Sequence, residues 1–265
     1  MRTALALALA AAATSAGAAS GAVDWQRRVV TCTGSGAANL RDSAGNPAVA
    51  RIGAEKAARL DALRSCMETV KGVQITSGQT AGGAMKSDAA LEGKVQGVVK
   101  GFQVVGKPRY FSDGGVEVDI EVPLDGVLSD ALLPGPPAPA APAPAAPAHD
   151  PAPSSAAPDA PTAVVVDARG LNVAPALAPR LLDEAGAEIY GPGALAPEAR
   201  KAGGAAYAKD LEAAKRTLAP RLGDRPAVVK AVRAQVSDLV ISNADAAKLA
   251  GRPFLAQGRV VILAD

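Results

Sequence analysis

The chain has 265 residues, with 28 Lys and Arg against 26 Asp and Glu, which gives a net charge of +2. Because the two signs are interspersed along the chain, this balance excludes an electrostatic nucleic-acid partner. Aromatic residues make up 3% of the chain, too few to form a stacking platform for a single strand.

The first 22 residues are typical of an export signal. Arg2 supplies a positive charge, and residues 4–13 are an unbroken run of Ala and Leu. Ala16-Gly17-Ala18 and Ser20-Gly21-Ala22 both have the small-x-small pattern that a signal peptidase cuts. The run is shorter than the roughly 20 apolar residues of a membrane-spanning helix, and no later stretch qualifies. Residues 1–22 are therefore predicted to be a cleaved signal peptide, with the cut after Ala18 or Ala22 and a periplasmic or secreted mature chain.

Two cysteines, Cys32 and Cys66, are expected to form a disulfide in an exported chain. The alternative is a pair of buried thiols that act as small apolar side chains. Val29-Val30-Thr31-Cys32 resembles a lipid-attachment site, but it lies behind charged residues and far from the apolar run. A lipid anchor is therefore not expected.

Residues 134–161 are almost entirely Pro, Ala, Ser and Asp, and they hold eleven of the 21 prolines. Such a stretch cannot bury enough apolar area to pack, so it is predicted to be a disordered, semi-extended linker. It divides the chain into domains at residues 23–133 and 162–265. We expect these domains to fold independently and to share no core.

The first domain is predicted to contain one long helix and several strands. A strand is expected at residues 25–33, followed by a loop at 34–47 and a helix at 48–70. One stripe of the helix is predicted to face the core, because its apolar residues recur every three or four positions: Val49, Ile52, Leu60, Leu63, Met67 and Val70.

Further strands are predicted after the helix, at residues 73–76, 94–111 and 116–122, with a turn at 113–115. The last of them alternates apolar and acidic residues. The first domain is therefore predicted to be α+β, with one long helix packed on an antiparallel sheet in the order β-α-β-β-β.

The second domain is predicted to be mixed α/β. Strands are expected at residues 162–167, 228–236, 238–242 and 259–264. A helix is predicted at 206–218, where Tyr207, Leu211, Ala214 and Leu218 have helical spacing. Another is predicted at 244–250, with Asn243 as its N-cap.

No group of residues predicts catalysis, a cofactor or a metal. The only histidine, His149, lies in the linker, which leaves a Ser-His-Asp triad without its base. Gly34-x-Gly36 begins a dinucleotide fingerprint that Asn39 does not complete, so a strand-to-helix loop is favoured. The carboxylates of Glu117, Asp119 and Glu121 share one strand face, where they would bind calcium or form a solvated face, and the second is favoured. Four further polar residues are interpreted as turn or cap residues: Asn172, Asp183, Asn243 and Asp245.

The N-terminal segment resembles a known family. The residues that carry the resemblance are Trp25, Val29-Val30, Thr33-Gly34-Ser35-Gly36, Ala50-Arg51, Ala57-Ala58-Arg59, Gly72-Val73 and Gly115-Val116-Glu117-Val118. Over residues 23–126 they resemble the LPP-twenty lipoprotein family, whose fold the N-terminal domain of the flagellar assembly protein FlgT shares. The resemblance implies an envelope location, flagellar or surface association and no enzymatic activity, although the family's lipidation cysteine is missing here. The C-terminal segment resembles only uncharacterised exported proteins.

The sequence therefore predicts a non-enzymatic, exported cell-envelope protein with a binding or scaffold role and envelope or flagellar protein partners. Two alternatives are a periplasmic hydrolase that uses carboxylates of the second domain and a polysaccharide-binding module. The hydrolase would have to work without histidine, and the polysaccharide binder without the usual exposed aromatic residues.

Overall fold

The computed structural model of the chain describes residues 20–133, here the N-terminal unit, and residues 160–265, here the C-terminal unit. Residues 1–19 of the predicted signal peptide and residues 134–159 of the predicted linker, with His149, lie outside the described residues. None of the described helices is long and apolar enough to cross a membrane.

The N-terminal unit is one long helix packed on an antiparallel sheet, as predicted. The four-stranded sheet has the order β1-β2-β6-β5, and β3 and β4 form a separate antiparallel pair. The elements, in chain order, are β1 (Ser20–Asp24), β2 (Val29–Ala37), α1 (Pro47–Gly72), β3 (Gln74–Thr76), β4 (Gln79–Thr80), α2 (Ala81–Ser87), α3 (Ala89–Lys100), β5 (Gln103–Tyr110), β6 (Gly115–Pro123) and α4 (Val127–Leu132).

Two of the predicted strands begin later than expected. Residues 25–28 form a turn, because the carboxylate of Asp24 accepts hydrogen bonds from the backbone N–H groups of Gln26 and Arg27. Residues 94–100 belong to α3, not to a strand. Asp88 caps that helix by accepting from the N–H groups two and three residues on, a signal the sequence interpretation did not use.

The first part of α1 turns a different face to the sheet from the predicted one, whereas Leu63 and Met67 of the predicted stripe pack against the core. The buried residues of α1 are small: Ala50, Ala54, Ala58, Ala62, Ser65 and Cys66, with Val70 at the end. From the predicted stripe only Val70 is fully buried, whereas Val49, Ile52 and Leu60 are 51%, 54% and 65% exposed.

The reason for this difference is the close approach of α1 to β2. A Cβ atom added to Gly34 would lie 2.0 Å from the backbone nitrogen of Ala62, and one added to Gly36 would lie 2.2 Å from the carbonyl oxygen of Ala54. At this distance only alanine-sized side chains fit beneath the helix. The side chains of Val49, Ile52 and Leu60 are therefore exposed.

The C-terminal unit is mixed α/β, as predicted. Its seven-stranded sheet has the order β10-β13-β7-β11-β12-β8-β9, with antiparallel pairing only between β11 and β12 and between β8 and β9. The strands are β7 (Ala163–Asp167), β8 (Leu181–Leu182), β9 (Glu188–Tyr190), β10 (Ala205–Ala208), β11 (Pro226–Gln235), β12 (Asp238–Ile241) and β13 (Val260–Leu263). The helices are α5 (Pro197–Lys201), α6 (Leu211–Thr217), α7 (Ala219–Leu222), α8 (Asn243–Leu249) and α9 (Pro253–Ala256), with a 3-10 turn at Pro192–Ala194.

Two predictions for this unit are corrected. The predicted helix at 206–218 is a strand, β10, followed by α6, which Asp210 caps by accepting from Ala213 N–H. Tyr207 is buried in β10, and its hydroxyl donates to the carbonyl of Ala176. The cap of α8 is Ser242, and Asn243 is its first residue.

The two units pack against each other, so the expectation of separate cores is wrong. One continuous cluster of buried apolar side chains contains residues of both units. The backbone N–H groups of Leu177 and Ala178 donate to the carbonyls of Gln74 and Ile75, at 2.9 and 3.0 Å. The boundaries of the two domains stay a prediction.

Candidate functional site

One end of the N-terminal unit carries a group of exposed large apolar side chains. We call it the tip surface, and it consists of Leu40, Tyr110 and Phe111 together with the Arg51 side chain. It is built from the loop before α1, the first turns of α1 and the connection between β5 and β6. A cavity of about 460 Å³ lies within it, lined by Leu40, Arg51, Tyr110 and Phe111 among others.

Backbone and side-chain contacts hold the tip surface in place. Phe111 pairs with Gly115 through its N–H at 2.9 Å, and Gly114 adopts a φ of 85° that favours glycine. The Arg51 guanidinium lies 4.2 Å from the centre of the Tyr110 ring. The Tyr110 hydroxyl donates to Glu55 at 2.6 Å, and this hydrogen bond raises the pKa of the tyrosine.

The two aromatic residues distinguish this surface from the other exposed apolar positions. All seven aromatic residues of the chain lie within the described residues, and only Tyr110 and Phe111 are exposed, at 46% and 48%. Aromatic residues and arginine are enriched at the centres of protein–protein interfaces. An adjacent aromatic pair before a glycine turn is visible in the sequence, but its exposure is not.

The acidic residues of β6 are engaged by basic and hydroxyl side chains. Glu121 pairs with Arg27 at 2.9 Å, and Arg109 bridges Glu117 and Asp119. The Arg109 guanidinium holds the pKa of Asp119 below its usual range, aided by a 2.7 Å hydrogen bond from Thr33. Within the part of the chain that the structure describes, no group of three or more acidic, His or Cys side chains is placed to hold a metal ion.

Cys32 and Cys66 form a disulfide, as predicted, with their Cα atoms 5.5 Å apart. The bridge joins β2 to α1 within the core, and both residues are buried. Gly34 and Gly36 follow Cys32 inside β2, where they allow the close approach of α1. They do not form the loop that the sequence favoured, nor a phosphate cradle.

The remaining polar residues singled out in the sequence make local contacts. The Asp183 carboxylate accepts from Ala187 N–H, and the Asn243 amide oxygen accepts from Glu184 N–H. Asp245 contacts Ser242 and Lys248, which both lower its pKa. Asn172 has a φ of 50°, typical of a turn.

A polar groove of about 860 Å³ lies where the two units meet. Gln74, Ser77 and Gln79 line one side, and Arg180 and Pro192 line the other. The buried carboxylate of Asp238 accepts from Arg180 and from the Ser77 hydroxyl, at 2.5 Å for each. The hydrogen bond from Ser77 therefore joins the β3–β4 hairpin to the C-terminal unit.

Two partly buried arginines contact one loop of the C-terminal unit, and Arg28 reaches it from the N-terminal unit. Arg28 donates to the backbone carbonyls of residues 203 and 205, at 3.1 and 2.7 Å. Arg221 donates to the backbone carbonyls of residues 204 and 202, at 2.7 and 2.8 Å. Burial lowers the pKa of both arginines, that of Arg221 to about 10. The sequence does not distinguish these arginines from exposed ones.

Comparison with known families gives a partial match. Residues 163–265 match the family model described as Treponema pallidum Tp0624, second domain. The match spans the C-terminal unit from β7 onward and leaves the N-terminal unit unmatched. No curated protein matches the chain. The C-terminal unit is therefore similar to that domain.

Proposed function

We propose that this protein is a non-enzymatic, exported component of the cell envelope that binds another envelope or flagellar protein through its tip surface. The exposed aromatic pair Tyr110 and Phe111 is the observation that carries this proposal. Exposing both costs hydrophobic free energy in the free protein, and a partner that covers them recovers it.

The disulfide supports the proposed location. Bridges of this kind form and persist in oxidising compartments such as the bacterial periplasm, and are rare in the cytosol. The apolar run at residues 4–13 supplies the matching export signal. Together they favour a periplasmic or secreted protein with a cleaved leader.

The tip surface favours a protein partner over a sugar or a nucleic acid. It combines a leucine side chain with two aromatic rings and one cation, a mixture typical of interface centres. Its charged neighbours, Arg51 and Glu55, are held by Tyr110, which fixes the ring position before binding. The resemblance of residues 23–126 to the LPP-twenty family favours a surface or flagellar partner.

Site-specific photo-crosslinking in intact cells tests the proposal. A photoreactive side chain is placed at position 40 or 111, and the control position is Val232, which is exposed on the C-terminal unit. We expect one discrete adduct with a second protein from both tip positions and none from position 232. An adduct of two copies of this chain, or equal labelling at all three positions, would contradict the proposal.

Binding of the purified partner supplies the energetic test. Truncation of an interface hot spot costs at least about 2 kcal/mol, roughly a thirtyfold change in Kd. Phe111→Ser is expected to weaken binding by that factor, and Val232→Ser is expected to leave Kd unchanged. Equal Kd values for the parent and Phe111→Ser would exclude the tip surface as the binding site.

A further inference from the structure

The first strand of the structure overlaps one of the two possible cleavage motifs. β1 pairs with β2 along its whole length, from Ser20 opposite Thr33 to Asp24 opposite Val29. A cut after Ala22 would remove the first three of the five residues of this strand. A cut after Ala18 would leave it whole.

β1 approaches α1 closely at Gly21, although Gly21 itself is exposed. This residue lies opposite Cys32, and a Cβ atom added to it would lie 1.9 Å from the Thr69 hydroxyl oxygen and 3.2 Å from the Cys32 sulfur. The backbone of β1 therefore covers the side of the disulfide where a side chain would have no room. Cys32 and Cys66 are both buried with β1 in place.

We infer that the exported chain is cut between Ala18 and Ala19, so that residues 20–24 remain as the first strand of the mature protein and cover the disulfide. In this step a water molecule adds across the Ala18–Ala19 amide bond. The leader leaves with the Ala18 carboxylate, and Ala19 gains the new α-amino group. The Ala16-Gly17-Ala18 motif supplies the required small residues and lies nearer the apolar run than the second motif does.

The position of the cut is read from the exported protein itself. The full 265-residue chain is expressed in a Gram-negative host, and the periplasmic product is analysed by intact mass and N-terminal sequencing. We expect a mature chain that begins at Ala19. A chain that begins at Val23 would overturn this inference alone. A chain that keeps Met1 would overturn the inference together with the export on which it rests, whereas failure at the tip surface would leave the cut site unaffected.

A second measurement tests the role of β1 without any cleavage. Two oxidised chains that end at Asp265 are purified, one beginning at Ala19 and the other at Val23, and their disulfides are reduced with dithiothreitol under native conditions. We expect reduction to be roughly tenfold faster in the shorter chain, because local opening of the bridge becomes easier. Ser20→Ala in the longer chain is the control, since Ser20 is exposed, and should leave the rate unchanged. Equal rates for the two chain lengths would contradict the inference.

Discussion

The two units place their large apolar side chains differently. The N-terminal unit exposes nine of them: Leu40, Val49, Ile52, Leu60, Val104, Val105, Tyr110, Phe111 and Val127. Among the residues described for the C-terminal unit, the exposed ones are three valines of the β11–β12 hairpin: Val228, Val232 and Val236.

The difference follows from the way each core is filled. In the C-terminal unit, Val, Leu and Ile side chains of β7, β12 and β13 fill the space around a mainly parallel sheet, as expected for strands buried on both faces. In the N-terminal unit, glycine in β2 and alanine in α1 bring backbone against backbone. The first part of α1, with alanine facing the sheet, therefore leaves Val49, Ile52 and Leu60 exposed.

The largest expected effect comes from filling the space between α1 and β2. In Gly34→Val, the new side chain meets two backbone atoms of α1 at 2.0 and 2.2 Å, so the helix must shift. We expect a loss of about 4 kcal/mol of unfolding free energy, measured by thermal or urea melts. The control is Gly53→Ala on the open side of α1, where nothing lies within 4 Å. It should stabilise the helix by about 0.5–1 kcal/mol. A parent-like melt for Gly34→Val would contradict the close packing.

Removal of the disulfide comes next in size. Cys32 and Cys66 are separated by 34 positions. For a loop of this length the chain-entropy estimate of the stabilisation is about 3–4 kcal/mol. Cys32→Ala with Cys66→Ala should lower the unfolding free energy by this amount and leave the secondary structure, measured by circular dichroism, unchanged. Equal stability of the bridged and unbridged chains would show that the bridge adds nothing to the N-terminal core.

A substitution at the junction between the two units should lower the unfolding free energy less than the loss of the disulfide does. Asp238→Ala leaves Arg180 and Ser77 without their buried acceptor, and because Arg180 is partly exposed, water recovers part of the loss. We expect a loss of about 2 kcal/mol. The matched control is Asp167→Ala, which removes the exposed pair with Arg169 and should leave the melt nearly unchanged. If both variants melt alike, the junction contact is not stabilising.

The smallest expected effect lies on the outer face of the N-terminal sheet. Arg109 depresses the pKa of Asp119 in the folded protein. The contribution of Asp119 to the free energy of unfolding is therefore fully present above the pKa of the unfolded chain, near 3.9. It is lost as the pH falls through the lower pKa of the folded protein. Because the pair is largely exposed, Asp119→Asn should cost less than about 1 kcal/mol at pH 7. Urea melts of parent and variant at pH 7 and pH 3 should show this difference shrinking at the lower pH. A difference that grows toward pH 3 would have the wrong sign.

Local sequence signals predicted most of the elements. The alternation in β6, the length of α1 and the valine-rich run of β7 each depend on neighbouring residues, and the structure confirms all three. The orientation of α1 could not be predicted in this way. It depends on Gly34 and Gly36, which are close to the helix in space and distant in sequence. Helical spacing correctly predicted that Leu63, Met67 and Val70 contact the core, and it was wrong for Val49, Ile52 and Leu60.

Only part of the candidate site could be predicted from the sequence. The disulfide between Cys32 and Cys66 was predicted from the presence of two cysteines in a chain that is expected to be exported. The tip surface required the structure, because Leu40, Arg51 and Phe111 come from three segments that only the fold brings together. The junction contacts of Arg28 and Asp238 are likewise long-range, and nothing in their local sequence marks them as buried.

The orientation of α1 is the central claim, since it decides which side chains of the helix are buried against the sheet and which are exposed. A pair of substitutions on this helix tests it directly, with unfolding free energy measured by urea melts. Leu60→Ser on the outer side should change stability by no more than about 0.5 kcal/mol. Ala58→Leu, which forces a large side chain against β2, should cost about 3 kcal/mol or more. The opposite ranking, with Leu60→Ser the more damaging variant, would show that the apolar stripe faces the core and would contradict the account.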